Sequence, residues 1–221
     1  MNRKMQTLQQ FKTTGSPSIS GVLLAGGQAR RFGGGDKCLR TLRERTLLEH
    51  VAERAAPQVG TMIVNASGNA DCFLGLGFDV VSDSIEGSLG PLAGVLTGLE
   101  WASAHQPKTQ WLASFATDAP FIPPDMVKRM QGAAIQQQAK IVVATSNGRK
   151  HPVFALWKID LAADLRQAIQ GQGVRKVMAW VESQKHTFVD FEGDERDPFF
   201  NINTQDDLLQ AENLLKKSDD L

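Results

Sequence analysis

Short runs of apolar and β-branched residues alternate along this chain with longer stretches whose apolar positions recur every three or four residues. That pattern predicts strands interleaved with helices. Residues 19–24 (ISGVLL) and 61–64 (TMIV) read as strands. Between them, Leu47, Leu48, Val51, Ala52 and Ala55 line one face of a helix; Thr46 and Glu49 have the spacing of a capping box, and Pro57 marks the far end. The alternation continues as strand 78–81, helix 91–104, strand 111–116, helix 123–130 and strand 140–144. After Asn147 the order is less regular, with a strand at 152–156, helices at 161–169 and 174–181 and a strand at 186–191, a segment suited to antiparallel additions. A last helix, 204–217, has Thr204 and Asp207 at capping spacing, apolar Leu208, Leu209, Ala211, Leu214 and Leu215, and two lysines at the end where the helix dipole favours cations. It is expected to pack on the sheet.

Strands separated by helices of this length require right-handed crossovers, so the expected fold class is α/β: three layers, α/β/α, Rossmann-like, with a mostly parallel sheet. At 221 residues and 42% hydrophobic content the chain suits one well-filled domain. Residues 1–18 are expected to form a flexible N-terminal tail, and 19–221 a single domain. The opening segment lacks the apolar core of a secretory signal, and no stretch approaches the roughly 20 apolar residues of a membrane helix, so a soluble protein is expected. Lys plus Arg and Asp plus Glu balance at 24 each. No global field therefore recruits nucleic acid or a membrane, and charge specificity has to be local. Cys38 and Cys72 lack metal-ligand spacing and are too few for a disulfide framework, which suits a reducing, cytoplasmic setting.

The chemistry concentrates at predicted strand ends, where open α/β sheets bind ligands. After the first strand, "LLAGGQARRFGGGDKCLR" brings together Gly26, Gly27, Gly33, Gly34 and Gly35 with Arg30, Arg31 and Lys37. Glycines let backbone N–H groups approach a phosphate, and the cations supply charge, so the loop suits a polyphosphate; a flexible surface turn is the alternative. The spacing matches neither a Walker A loop nor the G-x-G-x-x-G dinucleotide pattern. Asp118 ends the apolar run of "WLASFATDAPFIPP" and is placed to hold a hard cation, magnesium being the natural candidate; capping the following helix is the alternative. Asn65, Asp83, Asn201 and Asn203 follow other predicted strand ends, singly as turn residues and together as donors and acceptors for base, ribose and metal. Gly87, Gly90 and Gly94 surround Pro91 at a helix start that favours a ligand's polar edge, while Gly94 and Gly98 equally suit close helix packing. "GRKHP" offers Arg149, Lys150 and His151 to a second anion, or forms a solvated hairpin. The four histidines are scattered, with no Ser-His-Asp or zinc set.

Taken in order, "GVLLAGGQARRFGGGDK", "IVNAS", "VVSDS", "GPLAG", "TDAPFIPP", "RKHP" and "NINTQDDL" resemble the molybdenum cofactor guanylyltransferases, within the larger group of nucleotidyltransferases. The resemblance covers nearly all the chain except the tail. It implies a nucleotidyltransferase fold and transfer of GMP from GTP to molybdenum-loaded molybdopterin, with Mg²⁺ as cofactor. It implies that Leu24, Ala25 and Gly26, with Gly27 and Gly90 in the same substrate-binding set, hold the nucleotide, and that Lys37 reaches its phosphates. Arg31 matches the signature arginine of the wider group. Asn65 and Asp83 fall on positions that contact GTP, Asp118 on the position contacting GTP and Mg²⁺, and Asn203 on the asparagine that completes the metal site in related sugar nucleotidyltransferases. Molybdenum insertion proteins and molybdoenzyme chaperones are the partners the family implies. Near alternatives keep fold and metal but use CTP with molybdopterin, or load a sugar or polyol phosphate. A non-enzyme alternative is a nucleotide-binding cofactor carrier, against which Arg31, Lys37, Asp118 and Asn203 together argue.

Overall fold

Apolar side chains on opposite sides of the central strands face two different helix layers, and that division sets the architecture. The structure, a computed structural model, describes residues 11–26, 37–66, 73, 75–87, 90–192 and 197–219. Strand β1 (Ser16–Leu24) is followed by a two-residue-strand hairpin, β2 (Thr41–Leu42) and β3 (Arg45–Thr46), then α1 (Leu47–Ala55), β4 (Val59–Asn65), β5 (Asp79–Val81), α2 (Pro91–His105) and β6 (Trp111–Ala116). Next come α3 (Met126–Gln137), β7 (Ile141–Ser146), β8 (Arg149–Lys158), α4 (Ala162–Gly171), α5 (Val177–Glu182), β9 (His186–Asp190) and α6 (Gln205–Asp219).

Among the described residues, seven strands form one sheet in the order β5-β4-β1-β6-β8-β7-β9. Neighbours pair in parallel except β8, which runs antiparallel to both β6 and β7. In β1, Ile19 and Leu23 join the core beneath α1 and α3, whereas Val22 joins the core beneath α2, α4 and α5. Trp111, Ala113 and Phe115 against Leu112 in β6, and Phe154 and Leu156 against Ala155 and Trp157 in β8, divide the same way. This is the expected three-layer α/β/α arrangement with a mostly parallel sheet and an antiparallel addition after Asn147.

Local signals act as the sequence indicates at α1: Glu49 N–H donates to Thr46 Oγ1 at 3.2 Å, and Thr46 N–H donates to the Glu49 carboxylate at 2.7 Å. Thr204 and Asp207 make the equivalent reciprocal pair at α6, 2.9 and 3.1 Å. Several expectations are corrected. Strand β1 begins at Ser16, so residues 16–18 belong to the sheet rather than the tail. Helix α3 starts at Met126, beyond the paired prolines, and runs on to Gln137. The last helix does not lie on the sheet: Leu208 and Ala211 pack with Leu42, Leu47, Phe121 and Ile202 in a separate cluster that roofs the hairpin. Residues 1–10 of the expected tail lie outside the described residues. No helix among the described residues is long and apolar enough to cross a membrane.

Candidate nucleotide site

Chain order around the sheet reverses between β1 and β6, which makes the carboxyl edge there the expected ligand crevice. Register brings the strand ends level: Leu24 pairs with Asn65 on one side and Ala116 on the other, and Asn65 pairs with Val81. Two residues past three of these tips stand Gly26, Asp83 and Asp118. Ala25 N–H donates to the Asn65 carbonyl at 2.8 Å, and Thr117 Oγ1 donates to the Leu24 carbonyl at 3.2 Å, so the edge is tied together immediately below the site. Gly26 is exposed, with open space where a Cβ would stand.

Asn65 is almost completely buried, and its amide donates to the Val81 carbonyl at 3.2 Å and to Asp83 Oδ1 at 2.9 Å. It therefore aims the Asp83 carboxylate. The first turn of α2 crosses directly over this pair: a Cβ on Gly94 would strike Asn65 Oδ1 and come within 2.6 Å of Leu24 Cδ2. Gly98 meets Leu112 and Val22 in the same way, so both glycines answer to close packing. At the head of α2, Gly90 has φ 76°, which favours glycine, with Pro91 next. At this end, which lies at the sheet edge that carries Asn65, Pro91 has no N–H and the Ala93 N–H donates to the Gly90 carbonyl at 3.1 Å.

The Asp83 loop is braced from behind. Ser84 N–H donates to Thr97 Oγ1 at 2.9 Å, and Arg166 makes two 2.7 Å bonds to Glu100 and reaches Ser84 Oγ at 3.3 Å. Burial pushes the Glu100 carboxyl up, but hydrogen bonds from Arg166 and Ser84 together with the guanidinium charge outweigh it and hold the carboxyl below its ordinary value.

Asp118 lies in the turn after β6, half-buried, with Oδ1 shielded from solvent. It does not cap α3, whose N-cap position is Asp125. Its main-chain carbonyl accepts the Ile202 N–H at 2.9 Å, which brings Asn201 and Asn203 beside it. Asn203 N–H donates to the Asp207 carboxylate at 2.8 Å, so the α6 cap also sets this segment. Side-chain oxygens of Asp118 and Asn203 offer the ligand chemistry of a hard divalent cation whose shell is completed by phosphate and water. Among the described residues, no three His, Cys, Asp or Glu side chains cluster as a protein-only metal cage.

Because β8 is antiparallel, its first residues stand at the same edge. Asn147 and Gly148, φ 49° and 71°, turn the β7–β8 hairpin as an Asn-Gly pair does. Lys150 is drawn to Glu182 at 3.4 Å, Arg149 is exposed, and His151 turns inward to Ser146 Oγ at 2.7 Å. Burial holds the His151 ring below its ordinary value, with Asp197 pulling upward and Arg149 downward. Gly27 and Arg31 lie outside the described residues; Lys37 opens a short 3-10 turn, Lys37–Leu39, at the loop's far end. Sequence reasoning missed Asp197, Arg166 and Glu100, whose partners are far away in the chain, and Ser146, which stands five residues from His151 but is tied to Asp197 51 residues on.

The fold and this edge define a nucleotidyltransferase-type α/β domain. The model of the MobA-like NTP transferase domain matches residues 21–187. Molybdenum cofactor guanylyltransferases of Rhodopseudomonas palustris (strain BisB5) and Bradyrhizobium sp. (strain ORS 278) are 46% and 44% identical, covering 90% and 91% of this chain and 94% and 95% of theirs. The structure of molybdopterin-guanine dinucleotide biosynthesis protein A from Archaeoglobus fulgidus shares the fold, TM-score 0.72 at 23% identity, over 90% of this chain and 99% of that one. The chain belongs to the molybdenum cofactor guanylyltransferase family of MobA-like NTP transferases. Nucleotidyltransferases of this family generally use a divalent metal.

Proposed function

We propose that this chain transfers GMP from GTP to molybdenum-loaded molybdopterin, forming the molybdopterin guanine dinucleotide cofactor and pyrophosphate. The observation that carries the reading is the common register of Leu24, Asn65, Val81 and Ala116, after which Gly26, Asp83 and Asp118 share one edge. Relatives named molybdenum cofactor guanylyltransferase over nearly the whole chain support the choice of substrates.

A terminal phosphate oxygen of molybdopterin attacks the α-phosphorus of GTP; the bond from that phosphorus to the bridging oxygen breaks, and the oxygen leaves with pyrophosphate. The nucleophile is already an anion, so neither a general base nor a covalent enzyme intermediate is required, and the protein's part is in-line positioning and charge neutralisation. In this reading Leu24, Ala25, Gly26, Gly27 and Gly90 bind the nucleotide through main-chain groups, while Asn65 and Asp83 hold its nucleoside end. Arg31 and Lys37 balance the charge of the departing pyrophosphate. Asp118 and Asn203 would hold Mg²⁺, which when bound neutralises phosphate charge. Delivery of the product to molybdenum insertion proteins or molybdoenzyme chaperones in the cytoplasm belongs to the same proposal.

The test is pyrophosphate release by the purified protein with Mg²⁺ and molybdenum-loaded molybdopterin, comparing GTP, CTP, ATP and UTP in parallel. Release with GTP alone is the expected result. Release with CTP instead changes the product, and silence with all four overturns the reading.

A further inference from the structure

We propose that a hydrogen-bonded chain, His151–Ser146–Asp197, is a positioning device that fixes the segment bearing Asn201 and Asn203 against Asp118. Its role in the reaction rests on the nucleotidyltransferase reading above. Ser146 closes β7 with no exposure to solvent, and its Oγ stands 2.7 Å from His151 Nε2 and 2.7 Å from Asp197 Oδ1, across 51 residues of sequence.

A hydroxyl has one proton to give, and a carboxylate can only accept. The Ser146 proton therefore goes to Asp197, and His151 Nε2 must carry the hydrogen that Ser146 Oγ accepts. The chain has a single direction, from imidazole to hydroxyl to carboxylate. Asp197 Oδ1 then accepts the Phe199 N–H at 3.0 Å, orienting the main chain as it leaves the sheet. The Phe199 ring is buried against His151, Phe154 and Phe191, with centroids 4.7, 4.8 and 5.6 Å away. Three residues on, buried Ile202 donates to the Asp118 carbonyl. The segment is thus pinned at 197–199 and again at 202, with Asn201 and Asn203 flanking the second pin.

The ring cluster supplies adhesion without direction. The polar chain adds direction, because its hydrogen bonds weaken steeply away from linear donor geometry, and so sets how Asn203 is presented beside Asp118. His151 acts through Ser146 and Asp197 rather than on the substrate.

Two readouts test this, one of them independent of catalysis. Nitrogen NMR of the imidazole in the whole protein is expected to find His151 as the neutral Nε2–H tautomer at neutral pH. Ser146→Ala and Asp197→Leu are expected to shift the Asn203 side-chain amide resonances and to raise the Mg²⁺ concentration for half-maximal pyrophosphate release by about tenfold or more. KM for GTP, set by the β1, β4 and β5 tips and the head of α2, should stay within about twofold. Asp197→Asn keeps an acceptor for Ser146 and Phe199 and should restore most of both signals. An Nδ1–H tautomer in the wild type overturns the proposal, as do unchanged Asn203 resonances and Mg²⁺ dependence in the disruptive variants. If the wild-type protein releases no pyrophosphate, the enzymatic reading fails while the NMR arm still decides this one. If Ser146→Ala fails to fold, the wild-type tautomer and the Asp197 variants decide it.

Discussion

Gly94 offers the sharpest test of how nucleotide affinity is built, because a single added methyl at that position reaches the Asn65–Asp83 pair without removing any polar group. The Cβ of Gly94→Ala would fall 2.6 Å from Leu24 Cδ2 and closer still to Asn65 Oδ1, against the 3.4–4 Å of ordinary contact. Leu24 can rotate its methyl away. Asn65 cannot move without releasing Val81 or Asp83, since its amide serves both. Two effects on folding oppose each other: alanine favours the helix by about 1 kcal/mol over glycine, and overpacking costs about 1–3 kcal/mol. The net loss of stability should lie at or below about 2 kcal/mol. If Asp83 must be aimed to bind nucleotide, a misaimed carboxylate forfeits its own charge-assisted hydrogen bond to GTP, about 1.5–3 kcal/mol, which raises KM for GTP by about 10- to 150-fold. Steady-state pyrophosphate release against GTP concentration, with thermal unfolding alongside, measures both. A folded variant whose KM stays within about twofold of wild type would show that the Asn65–Asp83 contact does not set nucleotide binding.

Asp118→Asn keeps the shape of the turn and removes its charge; turnover should fall by about 100-fold or more while the melting temperature stays close to wild type, and parallel losses would refute a functional role. Lys37→Ala should likewise lower turnover far more than stability, with equal losses of both refuting its assignment to the phosphates. Glu100 has a lowered folded-state pKa, so its contribution to stability is complete above the unfolded value of 4.5 and is lost as pH falls through the folded value. The melting-temperature gap between wild type and Glu100→Gln should therefore be widest near neutrality and shrink below pH 4.5, and a gap that widens on acidification would contradict the ion pair's role.

Most of the sheet was legible because its strands are short, apolar and bounded by turn residues, and because the caps at Thr46 and Thr204 use local spacing. The tip residues Asn65, Asp83 and Asp118 were legible for the same reason: each follows an apolar run that has to stop. Helix α3 was read too short because "QQQ" at 136–138 has no apolar face, although tertiary packing of Met126, Met130 and Ala134 carries the helix to it. The β2–β3 hairpin is too brief for any periodicity, and without it nothing in the sequence shows that α6 has a roof to build rather than a sheet to cover. Ser146 and Asp197 were invisible for a different reason. Their meaning lies in a partner brought near only by the β7–β8 hairpin and the return of the chain past Phe199.

The bond from Ile202 to the Asp118 carbonyl also ties completion of this edge to the last part of the chain to be synthesised. As the polypeptide emerges from the ribosome, the strands that bear Gly26, Asn65, Asp83 and Asp118 come out well before the segment that completes their far side. A chain stalled or clipped ahead of Phe199 can own every one of those tips and still lack both pins of the closing segment. Ile202 thus works as a late latch, and an unfinished chain is denied the arrangement that a finished one acquires.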